Sequence, residues 1–418
     1  MSNLKALVII TENYPFGNAE TFIESEIPYV SGFDKVFFYS THSNSESHSP
    51  RNVGCAEIKK AVYPESIGSL TYIKSFFRPR AIAEAVRIFP RKKYFKCLFA
   101  IMRFEADVNQ IKPSTQKLID ELAAFDEVVL YSYWMYTEAM IAIDMKKRLD
   151  KLGTKTRFIT RAHRFEIFNE NNPLSYCQYQ KLLIRNAEKV YVCSDSGRDY
   201  LRNKYPEFRE KIITSYLGTE DSWNGDYPSR EGMYTVISCS NVIEIKRVRL
   251  IAEALSKITD TQINWIHFGD GYLIDDLKAE CRKNMPSNIR YEFRGRVSNK
   301  QVLELYESGE CNLFLNVSSN EGIPVSIMEA ASFGIPVVAT DVGGTSEIVE
   351  NGRNGYLLNS DFDVSELADY ITSFKSMSEE EYNRFCVESR KIYENKFNAS
   401  HNYPSFYDNI SNTEALWR

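Results

Sequence analysis

Short apolar runs separated by polar turns and helical periods recur along most of this chain. In the first half the runs are Ala6–Ile10, Lys35–Tyr39, Glu127–Tyr131, Arg157–Thr160 and Lys189–Cys193. In the second half they are Tyr234–Ser238, Ile263–Phe268, Tyr291–Arg294, Leu313–Val317, Pro336–Thr340 and Gly355–Leu358. Runs this short and this continuous predict strands covered on both faces, which form parallel sheets between helices. Two such sets predict an α/β chain with two doubly wound domains.

The sets are separated by "LGTEDSWNGDYPSREGM", Leu217 to Met233, which holds turn formers and acids with little periodicity. The expected division is a first domain at 1–216, a linker at 217–232 and a second domain at 233–395. A helical tail at 396–418 is expected to pack back on the first domain. Ligands of open α/β sheets bind beyond the carboxyl ends of the strands. Two such sheets facing each other would enclose a cleft, and the chemistry is expected there.

Composition narrows the class. At 418 residues the chain exceeds one ordinary core. A hydrophobic share of 43% with 26% charged residues is that of a folded chain. A net charge of −5 argues against nucleic acid as a partner. The eight cysteines are scattered without a CxxC, which suits neither a disulfide framework nor a zinc site and fits a reducing cytoplasm. Ala6–Ile10 is too short for a signal segment, and no apolar run approaches the length of a membrane span.

The candidate chemistry centres on "SSNEGIPVSIMEAASFGIPVVATDVGG", Ser318 to Gly344. After the strand Leu313–Val317 comes a tight polar turn. Pro324 then suits the first turn of a helix that Gly334 ends and Pro336 cannot continue. Glu321 precedes this helix and Glu329 lies one to two turns into it. Free N–H groups at the helix start, with Gly322 allowing close approach, make an anion site suited to a diphosphate. Two carboxylates beside it suit sugar hydroxyls. The competing reading is that Glu321 caps the helix and Glu329 is a solvated side chain, and spacing alone leaves both open.

The run "EGIPVSIMEAASFGIPVVATDVGGTSEIVENGRNGYLL" resembles the donor-site signature of family-4 glycosyltransferases of the GT-B fold. Looser matches follow in order along nearly the whole chain. They are "NYPFGNAETFIESEI" around Gly17, "FITRAHRFEIF" around His163, "KVYVCSDSGRDYL", "SYLGTED", "SCSNVIEIKRV" around Lys246, "IHFGDG" and "YEFRGRVSNKQVLELY". The combination looks most like transferases that build bacterial exopolysaccharide, capsule or O-antigen.

The resemblance implies two Rossmann-like domains facing across a cleft, with acceptor binding in the first and nucleotide-sugar binding in the second. It implies a retaining enzyme that moves a sugar from a UDP- or GDP-sugar to a lipid-linked oligosaccharide, with no metal and no cofactor. Glu321 would bind hydroxyls of the donor sugar, and backbone amides of the stretch Gly322–Val325, those of Gly322, Ile323 and Val325 on either side of Pro324, would hold sugar or phosphate oxygens. Glu329 would bind the ribose, and Lys246 would neutralise the leaving diphosphate. The loop at Gly17 would close over the phosphates, and His163 would contact the sugar near its anomeric carbon. Arg161, Arg164 or the aromatic run Tyr131–Tyr136 would read the acceptor. One departure stands out. The family usually places an arginine five residues before the lysine, and here that residue is Asn241; Arg247 follows the lysine. Either Lys246 and Arg247 share the charge or the clamp is weaker.

Other signals weigh less. "DFD", Asp361–Asp363, is expected to cap the helix that follows rather than hold a metal. "GDG" at Gly269–Gly271 reads as a lone turn, and His42, His48, His267 and His401 receive no role. The stretch 74–104 carries nine lysines or arginines against one acid, Glu84, interleaved with apolar residues. Two readings stay open for it: peripheral docking on anionic lipid at the inner membrane face, or a helix packed on its own sheet with a solvated basic face. Two further functions compete with glycosyl transfer. A non-catalytic scaffold in a polysaccharide-synthesis complex is suggested by Asn241, and a sugar-nucleotide epimerase of the same architecture ranks lower.

Overall fold

The computed structural model describes residues 4–17, 20–42, 49–62 and 69–412. The chain divides into two compact units, Met1–Ser215 with Tyr403–Arg418, and Tyr216–Asn402. Among the described residues each unit is built on one parallel sheet flanked by helices.

The strands of the first unit are β1 (Lys5–Thr11), β2 (Lys35–Ser40), β3 (Glu57–Lys60), β4 (Glu127–Ser132), β5 (Lys155–Ala162), β6 (Lys189–Val192) and β7 (Ile212–Thr214). They lie in the order β3-β2-β1-β4-β5-β6-β7. The second unit holds β8 (Tyr234–Cys239), β9 (Ile263–Phe268), β10 (Ile289–Gly295), β11 (Leu313–Asn316), β12 (Val337–Thr340) and β13 (Gly355–Leu358), in the order β10-β9-β8-β11-β12-β13. In both sheets the first strand in sequence lies inside and the order reverses beside it, which is the doubly wound pattern. Strands β1 and β4 are buried along both faces, as a parallel sheet under two helix layers requires.

The apolar runs gave no sign of β3 and β7. Both are sheet edges. β3 reads "EIKK", its Glu57 paired to Lys35 at 3.0 Å and Lys59 at 2.5 Å, and charged edges block further pairing. β7 has only three residues.

Residues 217–232, expected as a linker, are fastened to the second unit. Asp221 accepts from Arg390 at 2.5 Å, and the Arg390 guanidinium sits 4.5 Å from the Trp223 ring centre. Ser229 N–H donates to the Gly309 carbonyl, and Arg230 donates to the carbonyls of Lys375 and Met377 at 2.6 Å each. The C-terminal helix Ala399–Ser411 ends on the first unit. There Tyr407 donates to Glu26 at 2.8 Å and Arg157 donates to the Ile410 carbonyl at 2.8 Å.

Candidate functional site

In the first unit the loop after β1 is tied by Glu20. Its carboxylate accepts backbone N–H groups of Glu12 (3.1 Å), Asn13 (2.7 Å) and Tyr14 (2.6 Å), and the Trp134 indole N–H at 2.6 Å. Gly17 lies in this loop with φ +66°, and an added Cβ would meet nothing within 4 Å. His163 begins the short helix Arg164–Ile167; its backbone N–H and its Nδ1 lie 2.9 and 3.3 Å from Glu166 Oε1. Trp134, Tyr133 and Phe22 surround its ring at 4.4, 5.3 and 5.8 Å. Burial acts to lower the imidazole pKa, but Cys193 and the Glu166 carboxylate outweigh it, and the pKa stands raised.

Arg161 does not suit the acceptor contact expected of it. It is wholly buried, donates to the Tyr131 hydroxyl at 2.7 Å and the Ser215 carbonyl at 3.1 Å, and stacks 4.5 Å from Phe406. It anchors the end of β5 to the C-terminal helix. Tyr131 and Tyr133 are buried too, whereas Trp134 and Tyr136 line a cavity. Arg164 is half-buried beside His163.

Glu138 received no attention in the sequence, yet it lies buried on that cavity, in the first turn of the helix Thr137–Lys151. Thr41 and Thr137 donate to it at 2.9 and 3.1 Å. Loss of water pushes its carboxyl up to about 8. The folded state thus holds its proton more tightly than the unfolded chain, whose ordinary value is 4.5. Its contribution to stability is full below 4.5 and falls as pH rises towards about 8. Glu138→Gln should raise the melting temperature at about pH 9 and change it little at about pH 5. Thermal unfolding against pH checks this, and an equal effect at both pH values would count against it.

In the second unit, Asn316 at the end of β11 turns the chain by accepting from Ser318 N–H at 3.1 Å. Ser319 N–H then donates to the Ile245 carbonyl at 2.8 Å, lacing this loop to the one after β8. Pro324 stands at the N-cap of the helix Val325–Ser332. The loop is held from below by Gly343 and Gly344. A Cβ on Gly343, whose φ is +59°, would stand 1.9 Å from the Glu321 carbonyl oxygen, and one on Gly344 would stand 2.7 Å from that of Gly322. Gly344 N–H donates to the Gly322 carbonyl at 2.6 Å. Backbone thus packs on backbone where only glycine fits.

The lysine loop is built the same way. Ser240 and Val242 donate backbone N–H groups to the carbonyls of Phe268 and Asp270. A Cβ on Gly269 would lie 1.9 Å from the Ser240 carbonyl oxygen, and one on Gly271 would lie 2.3 Å from that of Val242. The Gly269–Gly271 turn, read from the sequence as a lone turn, is the support of this loop. Lys246 ends a turn that points its ammonium at Glu321, 2.6 Å from Oε1, and Asn316 Nδ2 approaches the same oxygen at 3.3 Å. Arg247 does not share this charge. Its guanidinium donates to the carbonyls of Val317 (2.7 Å), Ser318 (3.2 Å) and Ser360 (2.5 Å), and so braces the end of β11. Asn241 is exposed on a recess of about 430 Å³ that it lines with Ile243, Asp270, Gly271 and Arg296.

Glu329 is half-buried and accepts from Asn299 Nδ2 at 2.7 Å. Loss of water pushes its carboxyl up to about 7, against the opposing pull of Asn299. Asn299 opens the helix Asn299–Glu307 and had no distinguishing mark in the sequence, since its partner lies 30 residues away.

Residues 220–391 match the family model for glycosyl transferases, group 1. The match lies within the second unit. Among curated relatives, an O-antigen biosynthesis glycosyltransferase of Escherichia coli, WbnH, is 31% identical over 147 residues, 34% of this chain and 39% of the relative. The GtfA subunit of a UDP-N-acetylglucosamine–peptide N-acetylglucosaminyltransferase from Streptococcus pneumoniae is 27% identical over 201 residues, 46% of this chain and 38% of the relative. The matches therefore span about two fifths of these relatives' length. Likeness of fold extends further. Anabaena HepE, solved with UDP and glucose, covers 98% of this chain and 99% of its own with a TM-score of 0.66 at 17% identity. The lipopolysaccharide outer core galactosyltransferase WaaB covers 97% and 99% with a TM-score of 0.66 at 16% identity. The fold is GT-B. Within the group 1 domain, Asp363 caps its helix by accepting from Ser365 N–H at 2.7 Å, as its spacing predicts. Among the described residues no cluster of acids, histidines and cysteines is arranged to hold a metal, and no helix is long and apolar enough to cross a membrane.

Proposed function

We propose that this protein is a retaining glycosyltransferase that moves a sugar from a UDP- or GDP-sugar to a lipid-linked saccharide in surface-polysaccharide assembly. The observation that carries the reading is the Lys246–Glu321 pair beside the amino end of the helix Val325–Ser332, with Glu329 on the same helix. The donor diphosphate meets Lys246 and the helix amides, where positive charge and free N–H groups coincide. Lys246 then exchanges Glu321 for the leaving phosphate and neutralises the charge that develops as the glycosidic bond breaks. Glu321, released, accepts hydroxyls of the donor sugar. Glu329, oriented by Asn299, accepts the ribose hydroxyls. Arg296, on the recess shared with Asn241, is the cation assigned to the outer phosphate in place of the usual arginine. To the Gly17 loop we assign the donor phosphates and to His163 a hydroxyl near the reacting carbon. The acceptor proton passes to the leaving phosphate oxygen on the same face, which keeps the anomeric configuration. With Lys246 as the cation, the reaction runs without a metal. The UDP bound to HepE and the O-antigen role in the name of WbnH support this donor class and pathway.

A carboxylate accepts hydroxyls more strongly than a carboxylic acid. With Glu329 up to about 7, donor affinity should therefore fall as pH drops below neutrality, and Glu329→Gln should remove that dependence. Calorimetric titration across pH reads both, and a wild-type affinity flat through pH 7 would refute the assignment.

The stretch 74–104 supports work at the cytoplasmic membrane face. Arg80 and Arg87 pair with Glu105 and Glu84, and Lys93 bonds the Pro173 carbonyl, whereas Lys74, Lys92 and Lys96 project beside exposed Phe77, Phe89 and Phe95. Replacing Lys74, Lys92 and Lys96 by glutamate should abolish partitioning onto anionic vesicles. Unchanged partitioning would sink the membrane contact. The whole reading is tested by supplying a labelled nucleotide sugar with a lipid-linked saccharide. Label should enter the lipid fraction with the donor's anomeric configuration, and inversion or no transfer would overturn it.

A further inference from the structure

Next to the loop that carries Lys246, one histidine is sealed in the sheet. His267 lies on β9 opposite Ser238 of β8 and is 0% exposed. Trp265 and Phe293 stand 6.2 Å from it by ring centres. A fully buried imidazole gives up water at both nitrogens, and only hydrogen-bond partners offset that loss. Burial pushes the ring down to about 4, so at neutral pH it is uncharged and carries one ring proton.

The neighbours decide which nitrogen carries that proton. The Trp265 indole N–H can only donate, and it donates to Ser238 Oγ at 3.0 Å. Ser238 Oγ stands 2.8 Å from His267 Nδ1. On the other side of the ring, the backbone of Ser240 is the group that opposes the effect of burial. The Cβ that Gly269 lacks would stand 1.9 Å from the Ser240 carbonyl oxygen and 3.4 Å from His267 Nε2, so both atoms border the space that the glycine leaves. With the proton on Nδ1, a bare lone pair on Nε2 would face that oxygen, acceptor against acceptor. With the proton on Nε2, every group meets its complement: Trp265 donates to Ser238, Ser238 to Nδ1, and Nε2–H points to Ser240.

The last of these bonds is unmade. Nε2 is buried without an aligned partner. Bonds that serve a reaction are often loose without substrate and tighten when it binds. Ser240 is placed to do this. Its own N–H is fastened to the Phe268 carbonyl at 2.9 Å and that of Val242 to Asp270 at 3.0 Å, so the Ser240–Asn241 peptide lies between two fixed points and can tilt. Lys246 follows six residues on.

We propose that His267 is a positioning residue for Lys246: as the donor diphosphate draws the lysine, the Ser240 carbonyl closes on His267 Nε2–H and seats the loop. This inference rests on the glycosyl-transfer reading and adds to it the group that fixes the lysine's loop.

The test begins with ring-nitrogen NMR of the full chain carrying isotope-labelled histidine, the His267 signal being the one that His267→Gln removes. At neutral pH the ring should be protonated on Nε2 alone. Its Nε2–H proton should shift downfield when UDP or GDP is added, whichever binds by calorimetry. A ring protonated on Nδ1 overturns the proposal, and so does an Nε2–H signal that ignores a bound nucleotide. If neither nucleotide binds, the donor site falls and this proposal with it. Turnover gives the second test. His267→Phe should lower kcat by about tenfold and leave donor KM within about twofold. In a Lys246→Ala background the same change should alter kcat by less than about twofold, since the histidine acts through the lysine. Equal losses in both backgrounds would mark a merely structural histidine and overturn the proposal. A wild-type chain that binds nucleotide but transfers no sugar removes the glycosyl-transfer reading; then, or where His267→Phe does not fold, the NMR of the wild type decides whether the ring seats the loop.

Discussion

Lys246→Ala should lower kcat by about a hundred- to a thousandfold and change donor KM much less. The expectation follows from when the lysine's charge matters. In the resting site it is already satisfied by Glu321 at 2.6 Å, so the ground state gains little from offering it a second anion. As the leaving diphosphate separates, new negative charge forms beside it, and a cation fixed there stabilises the transition state more than the bound substrate. The alternative is that Lys246 and Glu321 form an ordinary ion pair. Such a pair at partial exposure contributes on the order of 1 kcal/mol or less to stability, and its removal would lower the melting temperature without touching turnover. Measuring kcat and thermal unfolding on the same variant separates the two. Full turnover with a lowered melting temperature would reassign the lysine to structure.

Gly343→Ala should cost about 2–4 kcal/mol of stability and abolish donor binding. Two penalties combine. The residue sits at φ +59°, and its Cβ would stand 1.9 Å from the Glu321 carbonyl oxygen, a backbone atom with no freedom to swing aside. The loop carrying Glu321 and Gly322 must shift, taking the carboxylate away from Lys246. Gly352 provides the control, since its φ is +74° but a Cβ there meets nothing within 4 Å. Gly352→Ala should therefore show the backbone strain alone, about 1 kcal/mol, and bind donor normally. If denaturant unfolding and calorimetry give the two variants the same losses, the glycine pair does not position the site.

The strands inside both sheets were legible because burial on two faces writes a continuous apolar run, as in β1 and β4. The edges were not. β3 is charged for the same reason that it ends the sheet, and β7 is too short to show a period. At 217–232 turn formers suggested a linker, and the segment holds no helix or named strand, but what fastens it was not legible. The partners that fasten this segment, Arg390 and the carbonyls of Lys375 and Met377, lie more than a hundred residues away. The same limit governs the site. Local spacing placed Glu321 and Glu329 about a helix start, but only the family resemblance brought Lys246 to them. Asn299 and Glu138 stayed invisible because each acts through a residue distant in sequence, and Glu20 because it bonds backbone N–H groups, which no residue type marks. Arg161 read as a ligand-facing arginine and proved to be a buried anchor, since sequence does not tell a conspicuous cation at a strand end from one the C-terminal helix covers.

The group 1 domain's claim to a nucleotide-sugar site is tested most directly by thermal unfolding against a panel of nucleotide sugars. At least one UDP- or GDP-sugar should raise the melting temperature of the wild-type chain, and Glu329→Ala should abolish that rise while unfolding normally without ligand. A chain that no nucleotide sugar stabilises, or a Glu329→Ala variant stabilised as fully as the wild type, would contradict the donor site described above.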